Sequence, residues 1–398
     1  MLNNEKIEFF EGTQRVVGPE KTIENYEGKL KTAGITRITE ITHLDRIKIP
    51  VFSAIRPTSQ SGGVSVYAGK GVGVSQAKAS AIMEGFERYS AERQDTDNVI
   101  VANINQLNQD FIKPETLNLS KEIKNHTNFE IEWSSAFDLI DNKEYLIPTN
   151  AIYHPYIPEN NCLALFKGNT NGLASGNVLE EAVLHGIFEV IERDAWSIYE
   201  LTHKNSKQID LNTINSDLIN SILEKFSEND ITIKLMDLTA DIKVPTILAS
   251  ADDTLLEDAG LLSIGIGTHL DPEIAVLRAL TEVAQSRATQ IQGAREDTVR
   301  ADLVRKVGYE KTKKKYKHYF NEQNNKINFE EIENKSTGSL KDDIELVIKE
   351  LKRNGIEHVL YKDLTRPEIG VSVVRVVIPT MEVYSVDSDR VGDRCLKI

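Results

Sequence analysis

Apolar positions recur at helical spacing in several stretches of the chain, with short strand-like runs between them. Ile23, Tyr26 and Leu30 predict an amphipathic helix over 22–33, with Thr22 as its N-cap. Strand-like runs at 51–55 and 64–67 lead into Gly69-Lys70-Gly71-Val72-Gly73, which reads as a flexible loop feeding a helix over 75–93. The unit returns twice. The glycine-rich stretch 171–177 precedes a helix over 179–199, striped by Ala182, Leu184, Ile187, Val190 and Ile191. The run 263–269 reads as a strand that turns at Asp271-Pro272 into a helix over 273–291. Short strand-like pieces such as 145–147 lie among proline-bearing loops, and a helix at 344–353 with strands at 359–362 and 372–378 closes the pattern. The expected fold class is α/β: one domain over 1–398, whose mixed sheet carries the three glycine-fed helices. The polar stretch 304–339 is expected as a surface insertion or lid, with its lysines as a solvated face.

Composition narrows the function classes. The 398 residues have 40% apolar and 27% charged side chains, an ordinary globular balance with material for a large core. The formal net charge of −14 disfavours bulk attraction to nucleic acid or an anionic membrane, so neither is expected as a partner. Cys162 and Cys395 are too few for a disulfide framework and lack zinc-site spacing. With no signal-like or membrane-length apolar run, the expected location is the cytoplasm.

The three helices share a chemistry. On the first, spacings of three and four residues put Ser80, Glu84 and Glu87 along one face, with Arg88 beside them. The second carries Glu181, His185, Glu189, Glu192 and Arg193, and the third Arg278, Glu282, Gln285 and Arg287. Paired carboxylates repel unless a cation lies between them, and Mg²⁺ is the hard cation that carboxylate oxygens favour. For one helix alone, a solvated acidic face paired with arginine remains the simpler reading, but recurrence on three helices favours a shared site. Glycine turns, arginines and magnesium together suit a nucleoside triphosphate, so ATP is the expected ligand. Neither the P-loop nor the full dinucleotide fingerprint occurs. No convincing side-chain nucleophile is visible; His154, His185 and His269 read as structural.

The motifs SxxxExxER at 80–88, NGLASGNxxxEAxxHGxxExxERD at 171–194 and RALTExxQxR at 278–287 resemble the ATP- and magnesium-binding motifs of the YcaO family. Arg15 with Thr22, Gly-Lys-Gly at 69–71 and Asp363-Leu-Thr-Arg-Pro367 extend the resemblance over nearly the whole chain. It implies a YcaO-type fold and an enzyme that uses ATP to phosphorylate a backbone amide oxygen. By the same resemblance, Glu84, Glu87, Glu189, Glu192 and Glu282 are the magnesium positions. Asn177 and Glu181 are nucleotide contacts, Arg193 and Arg278 lie around the phosphates, and Arg15, Thr22, Lys70, Ser80, Arg88 and Gln285 complete the ATP site. A serine contact falls at Ala174 or Ser175, the register being open.

The resemblance leaves the nucleophile to be read from the chain's end. Azoline-forming members use the substrate's own Cys, Ser or Thr, and many end in a proline-rich tail; this chain ends in Arg394-Cys-Leu-Lys-Ile398. Weight therefore moves to external sulfide and a thioamide product, with azoline formation and a non-catalytic Mg-ATP-binding role as the alternatives. The stretch 374–387 resembles stand-alone archaeal members that install thioglycine in methyl-coenzyme M reductase. That resemblance implies a peptide or protein substrate (the alpha subunit of that reductase), a sulfide source, a TfuA-like partner and a homodimer.

Overall fold

The computed structural model describes every residue except 1, 2, 4, 121, 124, 125, 160, 205, 297, 298 and 398. Among the described residues the strands form four sheets rather than the one expected. A small hairpin pairs Glu8–Phe10 with Thr13–Arg15. A three-stranded meander runs Arg37–Glu40, Val51–Ile55, Val66–Lys70. The six-stranded sheet is ordered Ile100–Ala102, Ile131–Asp138, Leu360–Asp363, Ser372–Val377, Leu173–Gly176, with Lys143–Pro148 also paired to Ile131–Asp138. The five-stranded sheet is ordered Ser263–Thr268, Thr246–Asp253, Ile231–Asp237, Lys207–Asp210, Lys326–Asn328. Only its last pair is parallel, so it alone mixes directions.

The three glycine-fed helices are Val74–Ala91, Leu179–Thr202 and Pro272–Gln292, each within three residues of its expected bounds. They are called here the first, second and third site helices. Each follows an edge strand of a different sheet and packs back on that strand. Each also sits in its own core. Ile82 and Phe86 of the first bury with Tyr67 and Ile147. Leu280 and Val283 of the third bury with Ile247 and Phe226. Ile187 and Ile191 of the second bury with Val374 and Val347. A fully buried side chain of this kind contributes about 1.5–3 kcal/mol.

Glycines permit the strand-to-helix contact. A Cβ at Gly69 would meet the backbone of Ala77 and Ala81, and one at Gly267 the carbonyl of Ala275. The expected flexible loop at 69–73 is thus corrected: Gly69 and Lys70 are the last residues of a strand pressed on its helix.

The helix start near residue 22 is also corrected. The helix is Pro19–Tyr26, with Gly18 as N-cap and Pro19 in its first turn, where proline's fixed φ and missing N–H cost nothing. Thr22 is buried inside it. The third helix starts as its Asp271-Pro272 signal implies, the Asp271 carboxylate accepting from the Glu273 N–H at 2.9 Å. In the 304–339 stretch Lys311, Lys314, Lys315 and Lys317 are exposed, whereas Tyr319 and Phe320 bury against Tyr199 and Met236, and Lys326–Asn328 extends the five-stranded sheet.

Candidate functional site

The site helices meet at a cavity of about 630 Å³, in the range of sites that take a nucleotide-sized ligand. All fifteen residues that the resemblance assigns to magnesium and ATP line it. For the carboxylates spacing explains why: on the first and second site helices they sit three or four residues apart and so share one face, while the opposite face enters that helix's core.

At one end, Glu181 is already held. Its Oε1 accepts from the Asn177 side-chain amide at 3.2 Å and lies 3.3 Å from Arg15 Nε, while its Oε2 accepts from the Val16 N–H at 3.1 Å. Thr22 donates its hydroxyl to Asn177 Oδ1 at 3.0 Å, so the residue expected as a cap belongs to this end of the cavity. His185, on the same face as Glu181, lies 3.1 Å from Arg278 Nη2 through its Nε2. Burial, then the positive field of Arg278 and Arg15, holds its pKa well below the ordinary value, so the imidazole is neutral and accepts from Arg278. His269 is structural, as expected: its Nδ1 accepts from the Asp271 N–H at 2.9 Å.

The other carboxylates form two groups whose members feel one another. Burial pushes Glu87 well above the usual range; Arg88 opposes this, and the like charges of Glu84 and Glu189 add to it. Burial also raises Glu189. Glu192 is pushed up to about 7, mainly by burial, with Arg193 opposing and Glu282 reinforcing. Glu282 goes the other way, because Lys70, Arg193 and Arg278 outweigh the effect of its own burial. Lys70, at the end of its strand, forms an ion pair with Glu282, and Arg88 pairs with Glu84 at 3.1 Å. Gln285 donates to the Ala68 carbonyl, tying the third helix to that strand.

Several buried atoms have no hydrogen-bond partner among the described residues: Glu192 Oε2, Arg88 Nε, Arg193 Nε, Arg278 Nε and His185 Nδ1. An orphaned carboxylate oxygen beside orphaned guanidinium nitrogens is what a site for a divalent cation and an anionic phosphate chain requires. The residues present fit Mg-ATP.

Of the two positions left open, Ser175 lines the cavity and donates its hydroxyl to Glu87 Oε2 at 3.2 Å, while Ala174 is fully buried. Arg287 leaves the set. It is fully buried away from the cavity, with Nε 2.7 Å from Asp45 and Nη2 3.0 Å from Asp253. Cys162 and Cys395 are buried and do not line the cavity.

Residues 68–382 match the family described as YcaO cyclodehydratase, ATP- and Mg²⁺-binding. A protein of Methanothermobacter thermautotrophicus is 52% identical over 96% of this chain and 98% of its own length. A protein encoded in the tfuA 3′ region of Rhizobium leguminosarum bv. trifolii is 29% identical over 93% of this chain and 89% of its own. The structure of YcaO from Methanopyrus kandleri, bound with AMPPCP and Mg²⁺, superposes with a TM-score of 0.81 at 26% identity, covering 98% of both chains. This chain belongs to the YcaO family, and its cofactors are ATP and Mg²⁺. No helix among the described residues is long and apolar enough to cross a membrane.

Proposed function

We propose that this YcaO chain uses Mg-ATP to turn a peptide-backbone amide into a thioamide, its target a glycine in the alpha subunit of methyl-coenzyme M reductase. The observation that carries the reading is the convergence of Glu84, Glu87, Glu189, Glu192 and Glu282 from three helices on one cavity that also holds Lys70, Arg88, Arg193 and Arg278. The carboxylates would hold magnesium, and the cations would orient phosphate oxygens and stabilise charge as it moves. Arg15, Thr22, Asn177 and Glu181 form the far end, where their mutual hydrogen bonds set a fixed polar frame for the rest of the nucleotide. Ser80 and Gln285 add polar contacts on the walls.

Bound Mg-ATP supplies a phosphoryl group that makes the amide oxygen a leaving group. Hydrosulfide adds to the amide carbon; the C–S bond forms, the C–O bond breaks, and the oxygen departs in phosphate. The net change is amide, ATP and HS⁻ to thioamide, ADP and hydrogen phosphate. The relative encoded in a tfuA 3′ region supports a TfuA-like protein as the source of sulfur. A homodimer in the cytoplasm is the working assembly.

The test is to incubate the protein with ATP, Mg²⁺, sulfide and a peptide carrying the target glycine. Mass spectrometry should show oxygen replaced by sulfur, together with ADP release that depends on the peptide. Loss of one water, confined to peptides with Cys, Ser or Thr beside the target, would replace this reading with azoline formation. Mg-ATP binding without peptide-dependent turnover would make the protein an accessory.

A further inference from the structure

Behind the magnesium side of the large cavity lies a second chamber of about 50 Å³, and two arginines line it. Arg375 and Arg390 are each 4% exposed, and neither has a carboxylate within ion-pair distance among the described residues. Burying a guanidinium without a counter-ion is costly, and elsewhere in this chain buried arginines have one, as Arg287 has Asp45 and Arg366 has Asp97. Arg375 gives its Nε to the Ala151 carbonyl at 3.0 Å and Nη2 to Asn169 Oδ1 at 3.3 Å; its Nη1 is buried and unpartnered. Arg390 gives Nε to the Asn118 carbonyl at 3.0 Å and Nη2 to that of Leu117, and its guanidinium lies 3.9 Å from the centre of the Phe166 ring. Burial lowers both to about 10; Glu189 bears favourably on Arg375, and Asp387 on Arg390.

The chamber shares walls with the large cavity. Asn169 and Asn171 face the small one and Thr170 the large; Glu189 lines the large and Val190 the small. Arg375 is the strand partner of Leu173, which lines the large cavity. The remaining lining is largely apolar, including Val190, Met381 and Phe166, with Thr116 as a further polar group. Asn171 also has a buried amide oxygen without a donor; turned over, that amide would present its NH₂. The space holds roughly three or four waters or one small ion, and no phosphate chain.

We infer that this chamber binds a small monovalent anion between Arg375 and Arg390, and that the anion is the hydrosulfide awaiting transfer to the activated amide. Two guanidinium groups without an ion-pair partner supply the charge, apolar walls suit a soft and weakly hydrated ion, and the shared wall keeps it beside the carboxylates that would hold magnesium. The hydrosulfide assignment rests on the thioamide reading above; the anion site does not.

The probe is bromide, which resembles hydrosulfide in charge and size. Crystals of the full chain soaked in sodium bromide should give an anomalous peak in the chamber, and added sodium hydrosulfide should displace it. Arg390→Gln should weaken the peak and raise the KM for sulfide roughly tenfold, leaving the KM for ATP unchanged, since one charged donor is lost. If that variant does not fold, displacement in the wild type still decides. A chamber holding only water at saturating bromide overturns the anion site, and bromide that hydrosulfide does not displace overturns the assignment. Displacement in a protein that makes no thioamide upholds the site and sinks the reaction.

Discussion

Replacing Glu192 by Gln removes a charge that the nucleotide-free protein holds at a cost, with almost no change in volume. The side chain is 2% exposed and its Oε2 has no partner among the described residues. Burial and the nearby Glu282 carboxylate raise its pKa from 4.5 to about 7. The sign comes from linkage: a carboxyl whose folded pKa lies above its unfolded value is neutral in both states below pH 4.5, ionises first in the unfolded chain, and so weakens folding increasingly up to pH 7. Above that the penalty is constant at about 3 kcal/mol, and at pH 5.5 it is about 1 kcal/mol. Thermal unfolding in EDTA should therefore find Glu192→Gln more stable than wild type at pH 8, with the gap shrinking by more than half at pH 5.5. With Mg-ATP at a hundred times Kd most of the gap should close, because ligand that binds only the folded state adds about 3 kcal/mol there, and the variant binds it less well. Equal stability at pH 8 without nucleotide would refute the reasoning, since it would mean that the carboxylate is not held at a cost.

Lys70→Met should lower kcat/KM for ATP by roughly ten- to a hundredfold, the range for one charge-assisted contact, in a steady-state ADP-release assay. Gly267→Ala should cost about 1–3 kcal/mol in denaturant unfolding and also weaken ATP binding, because the new methyl would press on the Ala275 carbonyl and on the Arg278 Cβ at 2.7 Å. Arg287→Met should destabilise by about 3 kcal/mol, leaving Asp45 without its cation, while the folded fraction keeps the wild-type KM for ATP.

The helices and the chemistry of their faces are legible in the sequence because both depend on local spacing. Three- and four-residue steps fix which side chains share a face, whatever the helix packs on. The same rule excludes Arg287: nine residues past Arg278, at about 100° each, is the opposite side of the helix. What local spacing does not reveal is strand partnership. Leu173 pairs with Arg375, and Gln208 with Lys326, across long stretches of chain, so the sheets and the chamber around Arg375 have no local signature. Thr22 misleads for a related reason. A hydroxyl before an apolar stripe looks like a cap, but Pro19 starts the helix earlier, and what the hydroxyl contacts, Asn177, comes from another sheet's strand-to-helix turn.

The division into several sheets stems from the site itself. Helices laid on one face of a single sheet lie side by side, and the faces turned from the sheet look outward rather than toward a common point. Five carboxylates and three arginines on three helices can enclose one cavity only if each helix is backed by a separate layer. Here each backing layer is an edge strand with its own core, joined closely enough that glycine is needed at Gly69, Gly176 and Gly267. Those cores also explain how the like charges are tolerated. The apolar face of each helix is fully buried on its own sheet, so repulsion among Glu84, Glu87 and Glu189 works against packing that does not depend on the cavity being filled. The protein can therefore fold first and take up its cation and nucleotide afterwards.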